Sequence, residues 1–175
     1  MVSYRRSRVA GGTYFFTVTL RNRQVSTLVE RIDELRLVVK RAREEHPFRI
    51  DAFVVLPEHL HTVWTLPADD GDYAGRWRQI KGRFTRTLVK GGVALSKNSK
   101  GEYNLWQRRY WEHRIRDEED FRRHIEYIHF NPVKHGLVKR VRDWPYSTFH
   151  KFVRQGVYPL DWAGSELDGE GEYGE

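Results

Sequence analysis

Between Pro57 and Pro67 the chain reads Pro-Glu-His-Leu-His-Thr-Val-Trp-Thr-Leu-Pro, a run that is mostly apolar or β-branched apart from its two histidines. Such a run forms a buried or half-buried strand. Successive strand side chains alternate between faces, so His59 and His61 share one face while Leu60 takes the other. Two imidazoles at this spacing can reach a single metal ion. They can equally be ordinary hydrogen-bonded strand histidines, and only a partner for that face, supplied from elsewhere in the chain, decides between the two.

The neighbouring patterns place this strand in a fold. Thr13 to Leu20, after the Gly11-Gly12 turn, is rich in β-branched and aromatic residues and predicts a first strand. Thr27 and Glu30 have the spacing of a capping box, and Leu28, Ile32, Leu35, Val39 and Ala42 recur at helical spacing up to Pro47. Phe48 to Leu56 is again strand-like and is joined to His59–Leu66 by Pro57-Glu58, predicting a hairpin with the histidines near its turn. Tyr73 to Lys90 predicts a second helix, with Trp77, Ile80, Phe84 and Leu88 on one stripe and Arg76, Arg83, Arg86 and Lys90 away from it. Residues 91 to 103 read as a flexible loop and Leu105 to Ile115 as a fourth strand. A third helix starts at an Asp117 cap with acids at 118 to 120, carries Phe121, Ile125 and Ile128 on one stripe, and runs towards Asn131-Pro132. The order matches an α+β, ferredoxin-like βαββαβ plan: an antiparallel sheet with helices on one face and an added helix towards the C-terminus that carries Tyr127.

With 175 residues, one domain and a tail suffice. The formal charge is +7. Beyond Arg154 there is no base and there are six acids, so residues 1–154 carry +13 and 155–175 read as an acidic, flexible tail. A body this basic points to a polyanion. No apolar run approaches the roughly 18 residues of a spanning helix, so no membrane partner is expected. The chain opens without a secretory signal core, and the absence of cysteine removes disulfides and thiolate metal sites. A cytoplasmic, nucleoid-associated location is the expectation. The tail is either a solubilising extension or a competitor for the basic surface.

On the third helix Tyr127 and Asn131 lie four residues apart and so share a face, with His124 nearby. If that helix packs against the histidine face, His59, His61 and Asn131 form a three-ligand N/N/O site suited to Mg²⁺ or Mn²⁺ acting on a phosphodiester. Packing roles for Tyr127 and a helix-end role for Asn131 are the plain alternatives.

These residues carry a family resemblance. His59-Leu60-His61 resembles the His-hydrophobic-His motif of single-tyrosine HUH transposases. The run Glu126-Tyr127-Ile128-His129-Phe130-Asn131-Pro132-Val133-Lys134-His135-Gly136 resembles the tyrosine helix of their REP-associated tyrosine transposase branch. Tyr4-Arg5-Arg6, Gly11 to Val18, Trp111 to Arg116 and Asp143 to Phe149 resemble the same branch in the same order, so the likeness covers most of residues 4 to 163. The resemblance implies metal-dependent cleavage and rejoining of single-stranded DNA beside a hairpin of the REP type, with Tyr127 as nucleophile forming a 5′-phosphotyrosine. It implies His59, His61 and Asn131 as ligands of Mg²⁺ or Mn²⁺, Asn131 standing where larger relatives have Gln. Tyr4, Arg5 and Arg6 suit base recognition, and Arg76, Arg83 and Arg86 suit the hairpin stem. His124 is a candidate general base. The branch is compatible with a monomer holding a complete site, although relatives include dimers that swap the tyrosine helix. The competing class is a ferredoxin-like nucleic-acid-binding protein that does no chemistry.

Overall fold

A computed structural model describes residues 8–164 and 173–175. Four antiparallel strands, β1 (Thr13–Thr19), β2 (Arg49–Val55), β3 (His59–Thr65) and β4 (Trp111–Arg114), form one sheet in the order β2-β3-β1-β4. That is the ferredoxin-like order, with the predicted hairpin joining β2 to β3 through a bond from Leu56 N to His59 O. No helix among the described residues is long and apolar enough to cross a membrane.

Alternation along β1 and β3 divides the sheet into two unlike faces. Tyr14, Phe16 and Val18 of β1, with Leu60 and Trp64 of β3, meet α2 (Ile32–Glu45) and α3 (Tyr73–Lys90) in one aromatic-rich core. Trp64 is its centre, stacked on Trp77 at 4.2 Å and set against Phe48 at 4.1 Å. The other face presents Phe15 and Val63 to α4 (Glu118–Lys134), which contributes Ile125, Tyr127 and Ile128. The helices of the ferredoxin-like plan thus share one face, and the added tyrosine helix covers the opposite one.

Three details differ from expectation, each for a local reason. The first predicted helix opens at Arg31 into a short α1 (Thr27–Glu30) and α2, and the residue at the start of α1, Ser26, makes no side-chain capping bond. Leu28 N instead donates to Pro57 O, tying α1 to the hairpin connection. The fourth strand is shorter than 105–115 because Trp106 turns onto α3, donating from Nε1 to Lys81 O at 3.2 Å. After a short 3-10 turn at Val141–Asp143, residues 146–148 line the outer edge of β2, where Val55 N donates to Tyr146 O and Thr148 N to Phe53 O, and this covers an otherwise open strand edge. The chain then forms α5 (Phe149–Arg154). Beyond it Tyr158 stacks on Trp162 at 4.5 Å and on Phe152 at 5.5 Å. The charge-drawn boundary at 154 therefore falls inside a packed aromatic segment, because apolar area and not charge decides where packing ends.

Candidate metal and tyrosine site

β3 delivers both histidines to the α4 face, buried at 1% and 0% exposure. Each is held from behind by its Nδ1. His59 Nδ1 meets Glu58 Oε1 at 2.8 Å; a carboxylate only accepts, so Nδ1 carries the hydrogen and Nε2 keeps its lone pair. For His59 this is the tautomer a metal-ligating imidazole needs. His61 Nδ1 meets Thr17 Oγ1 at 2.8 Å and its Nε2 meets the Glu175 carboxylate at 3.1 Å, so its one hydrogen sits on Nε2 while Glu175 is in place and has to move to Nδ1, with Thr17 as acceptor, for Nε2 to bind a metal. Burial pulls the His61 pKa down to about 4, which keeps the ring neutral near pH 7.

The opposing helix α4 is started by Asp117, whose carboxylate accepts from Asp120 N at 2.8 Å, with Glu118, Glu119 and Asp120 in its first turn. It brings Tyr127 and Asn131 under the histidines, the Tyr127 ring lying 5.3 Å from that of His61. Phe15 forms the floor, with its ring 5.6 Å from His61 and 6.1 Å from Tyr127. The helix does not stop at Pro132 but continues to Lys134. It closes with Leu137 N donating to Pro132 O and Gly136 N to Val133 O, around Gly136 at φ 68°. This paired closure requires a left-handed residue, which glycine adopts without a Cβ clash. Two residues absent from the expected site, Lys134 and His135, are thereby turned towards it.

All these groups converge on one carboxylate, that of Glu175. Its Oε1 lies 3.1 Å from His61 Nε2, 3.1 Å from His135 Nε2, 2.8 Å from Asn131 Nδ2 and 4.0 Å from His59 Nε2, and it accepts from Tyr127 Oη. Its Oε2 accepts from Lys134 Nζ at 2.7 Å. Burial alone would raise the Glu175 pKa, but hydrogen bonds from His135, His61, Lys134 and Tyr127 hold it far below the carboxylate range. The Tyr127 pKa is raised, first by burial and then by its bond to that carboxylate. Tyr173 stacks flat on Tyr127, ring centroids 3.6 Å apart at 9°. Gly174 at φ 72° passes so close to Trp111 that a Cβ would collide with its side chain. The last residues of the acidic tail thus enter the site itself, a placement that neither a solubilising extension nor a competitor for the basic surface describes, and residues 165–172 of the tail lie outside the described residues.

The remaining expected residues are dispersed. Arg76 is 3% exposed and donates to His46 O, Pro47 O, Asp72 O and the Asp70 carboxylate, so it belongs to the α3 core and not to a cationic surface. This corrects its assignment to the hairpin stem: the helical period placed it beside the apolar stripe, and four acceptors drew it in. Arg83 pairs with Glu45, and Arg86 is exposed on the same helix. Tyr4, Arg5 and Arg6 lie outside the described residues. His124 donates from Nδ1 to Asp120 O at 2.7 Å and stacks on His113 at 4.7 Å. With His113 Nε2 2.8 Å from Asp120 Oδ2, it forms a second group of closely set donor atoms that clasps β4 to the start of α4. Sequence reasoning missed Thr17, Glu58, Lys134, His135 and Glu175. The position of Lys134, seven residues after Tyr127 and so two turns along the same face, was the available signal, and Pro132 masked it by reading as a stop.

A buried histidine pair facing a helical tyrosine and amide on one face of a ferredoxin-like sheet is the layout expected of the single-tyrosine HUH class. The comparisons agree. The chain is 49% identical over 168 residues to the REP-associated tyrosine transposase of Escherichia coli K12, covering 96% of this chain and 94% of that one. It is 46% identical over 167 residues to a Haemophilus influenzae relative of the same family name, covering 94% and 95%. A solved structure of the REP-associated tyrosine transposase bound to a REP hairpin superposes with a TM-score of 0.87 at 47% identity, covering 100% of this chain and 98% of that one. No protein-family model matches the chain. The chain belongs to the REP-associated tyrosine transposase family.

Proposed function

We propose that the protein cleaves and rejoins single-stranded DNA beside a REP-type hairpin through a 5′-phosphotyrosine on Tyr127. The observation that carries this reading is the convergence of the His61 Nε2, His135 Nε2, Asn131 amide and Tyr127 hydroxyl contacts on one oxygen, with His59 Nε2 4.0 Å from it. The donor set fits a divalent ion: among the described residues His59 Nε2 and Asn131 Oδ1 are buried and without a hydrogen-bond partner, and an amide offers its oxygen as readily as its nitrogen by turning over. His59, His61 and Asn131 would hold Mg²⁺ or Mn²⁺, which polarises a phosphodiester towards in-line attack when bound.

The protein's own residues supply the rest. Phe15 and the α4 backbone fix the Tyr127 ring, and Glu58 and Thr17 fix the imidazoles, so nucleophile and ligands are preorganised with little conformational freedom left to lose. Attack joins Tyr127 Oη to phosphorus and releases a 3′-hydroxyl. The reverse attack by a 3′-hydroxyl rejoins the strand without ATP, because the ester conserves the bond energy. Tyr4, Arg5 and Arg6 read single-stranded bases, and Arg83 and Arg86 sit against stem phosphates, which makes affinity fall as salt rises.

The test is to incubate the full-length protein with a 3′-labelled hairpin-bearing single strand and Mn²⁺ or Mg²⁺. A denaturant-resistant adduct is expected from the wild type and none from Tyr127→Phe. An adduct that persists in the variant rejects Tyr127 as nucleophile, and no adduct with either metal favours the non-catalytic binding module.

A further inference from the structure

The end of α4 holds a cation that the proposed reaction has not used. Lys134 Nζ donates to Tyr127 Oη at 3.1 Å and lies 4.7 Å from the centroid of the same ring. It also donates to Glu175 Oε2 at 2.7 Å. One ammonium therefore touches both the tyrosine oxygen and one oxygen of the carboxylate whose other oxygen is lodged among the imidazoles. Its position is built into the backbone: the helix runs through Pro132, and the closure around Gly136 ends it one turn later, with Lys134 on the face of Tyr127.

We propose that Lys134 is a catalytic residue whose ammonium stabilises negative charge on the Tyr127 oxygen as that oxygen attacks phosphorus, and again as it leaves during rejoining. The inference rests on the reading of Tyr127 as nucleophile. In the forward step the Oη–P bond forms, the P–O3′ bond breaks, the phenol loses its proton and the 3′ oxygen gains one. Lys134 stays protonated throughout and exchanges no proton. A fixed donor aimed at an oxygen that gains charge in the transition state contributes a rate factor of about 10² to 10³. A primary ammonium suits this position because its three donors can serve the tyrosine oxygen and a phosphate oxygen together.

The experiment follows single-turnover adduct formation by full-length protein on the 3′-labelled hairpin-bearing strand with Mn²⁺, and hairpin affinity by fluorescence anisotropy. Lys134→Ala is expected to slow adduct formation by about 10² to 10³ while affinity stays within about twofold, and Lys134→Arg is expected to recover part of the rate. A second substrate carries sulfur in place of the bridging 3′ oxygen, a better leaving group. The Lys134→Ala defect persists on that substrate if the lysine serves the tyrosine oxygen. A Lys134→Ala rate within threefold of wild type overturns the inference, as does full relief by the sulfur substrate, which would place the lysine on the leaving oxygen. Wild type forming an adduct alongside either result leaves the nucleophile reading standing. Wild type forming none brings down both.

Discussion

The two faces of the sheet are made from the same strands and differ in almost everything else. Beneath α2 and α3, Tyr14, Phe16, Trp64 and Trp77 pack ring against ring, with Leu60 among them. Beneath α4, the alternate residues of the same strands are Phe15, Thr17, His59 and His61. Buried polar atoms without a hydrogen-bond partner among the described residues occur on both faces, each at a cost of about 1–3 kcal/mol, but those under α2 and α3 are N–H donors, Trp64 Nε1 and Trp77 Nε1, whereas those under α4 include His59 Nε2 and Asn131 Oδ1, atoms that can ligate a metal. The aromatic face is the larger apolar core, and the α4 face gathers the polar groups of the candidate site.

Substitutions can break this comparison. The largest stability effect belongs to the aromatic face: Trp64→Ala should cost about 3–5 kcal/mol in urea unfolding, and a loss under 1 kcal/mol would show that this face is not the foundation. Next comes acid sensitivity on the α4 layer. Burial holds the His129 pKa down to about 3, with Nε2 against Thr148 Oγ1 at 2.8 Å and Nδ1 without a partner among the described residues. Between pH 6.5 and 3 the unfolded chain binds a proton at this histidine that the folded chain refuses, so stability falls as pH falls, by about 2 kcal/mol at pH 5 for this group. Urea curves at pH 7 and 5 should show that loss shrinking in His129→Gln, and an unchanged loss would remove His129 as its source. The smallest effect sharpens the contrast most. Thr17→Val keeps the shape of β1 but deletes the acceptor behind His61, and should weaken Mn²⁺ binding about tenfold by calorimetry with little change in stability. Equal affinity in the two proteins would make the hydroxyl incidental.

Much of this division could be read from residue order. The His59/His61 face follows from strand alternation alone, and the Tyr127/Asn131 face from the helical period. Both hold because they are properties of regular backbone. Arg76 shows the limit of the same periodicity. A residue flanking an apolar stripe goes to solvent unless acceptors elsewhere capture it, and here His46 O and Pro47 O do so from a distant segment and Asp70 from the loop before the helix. Lys134 shows a second limit, since Pro132 lacks an N–H and reads as an end, while the surrounding helix tolerates the loss of one bond.

By itself, then, the amino-acid order determined the strand and helix pattern, the pairing of the histidines on one face, the tyrosine and amide on another, and the basic bias of the body. Tertiary structure decided which faces meet. Only packing α4 across the sheet from α2 and α3 brings Tyr127 to His61, and only the folded chain brings Glu175, more than a hundred residues from His61 in sequence, into contact with both. Local periodicity specifies where a side chain points within its own element. The approach of distant elements depends on the burial and hydrogen bonds they share, and no single segment encodes those.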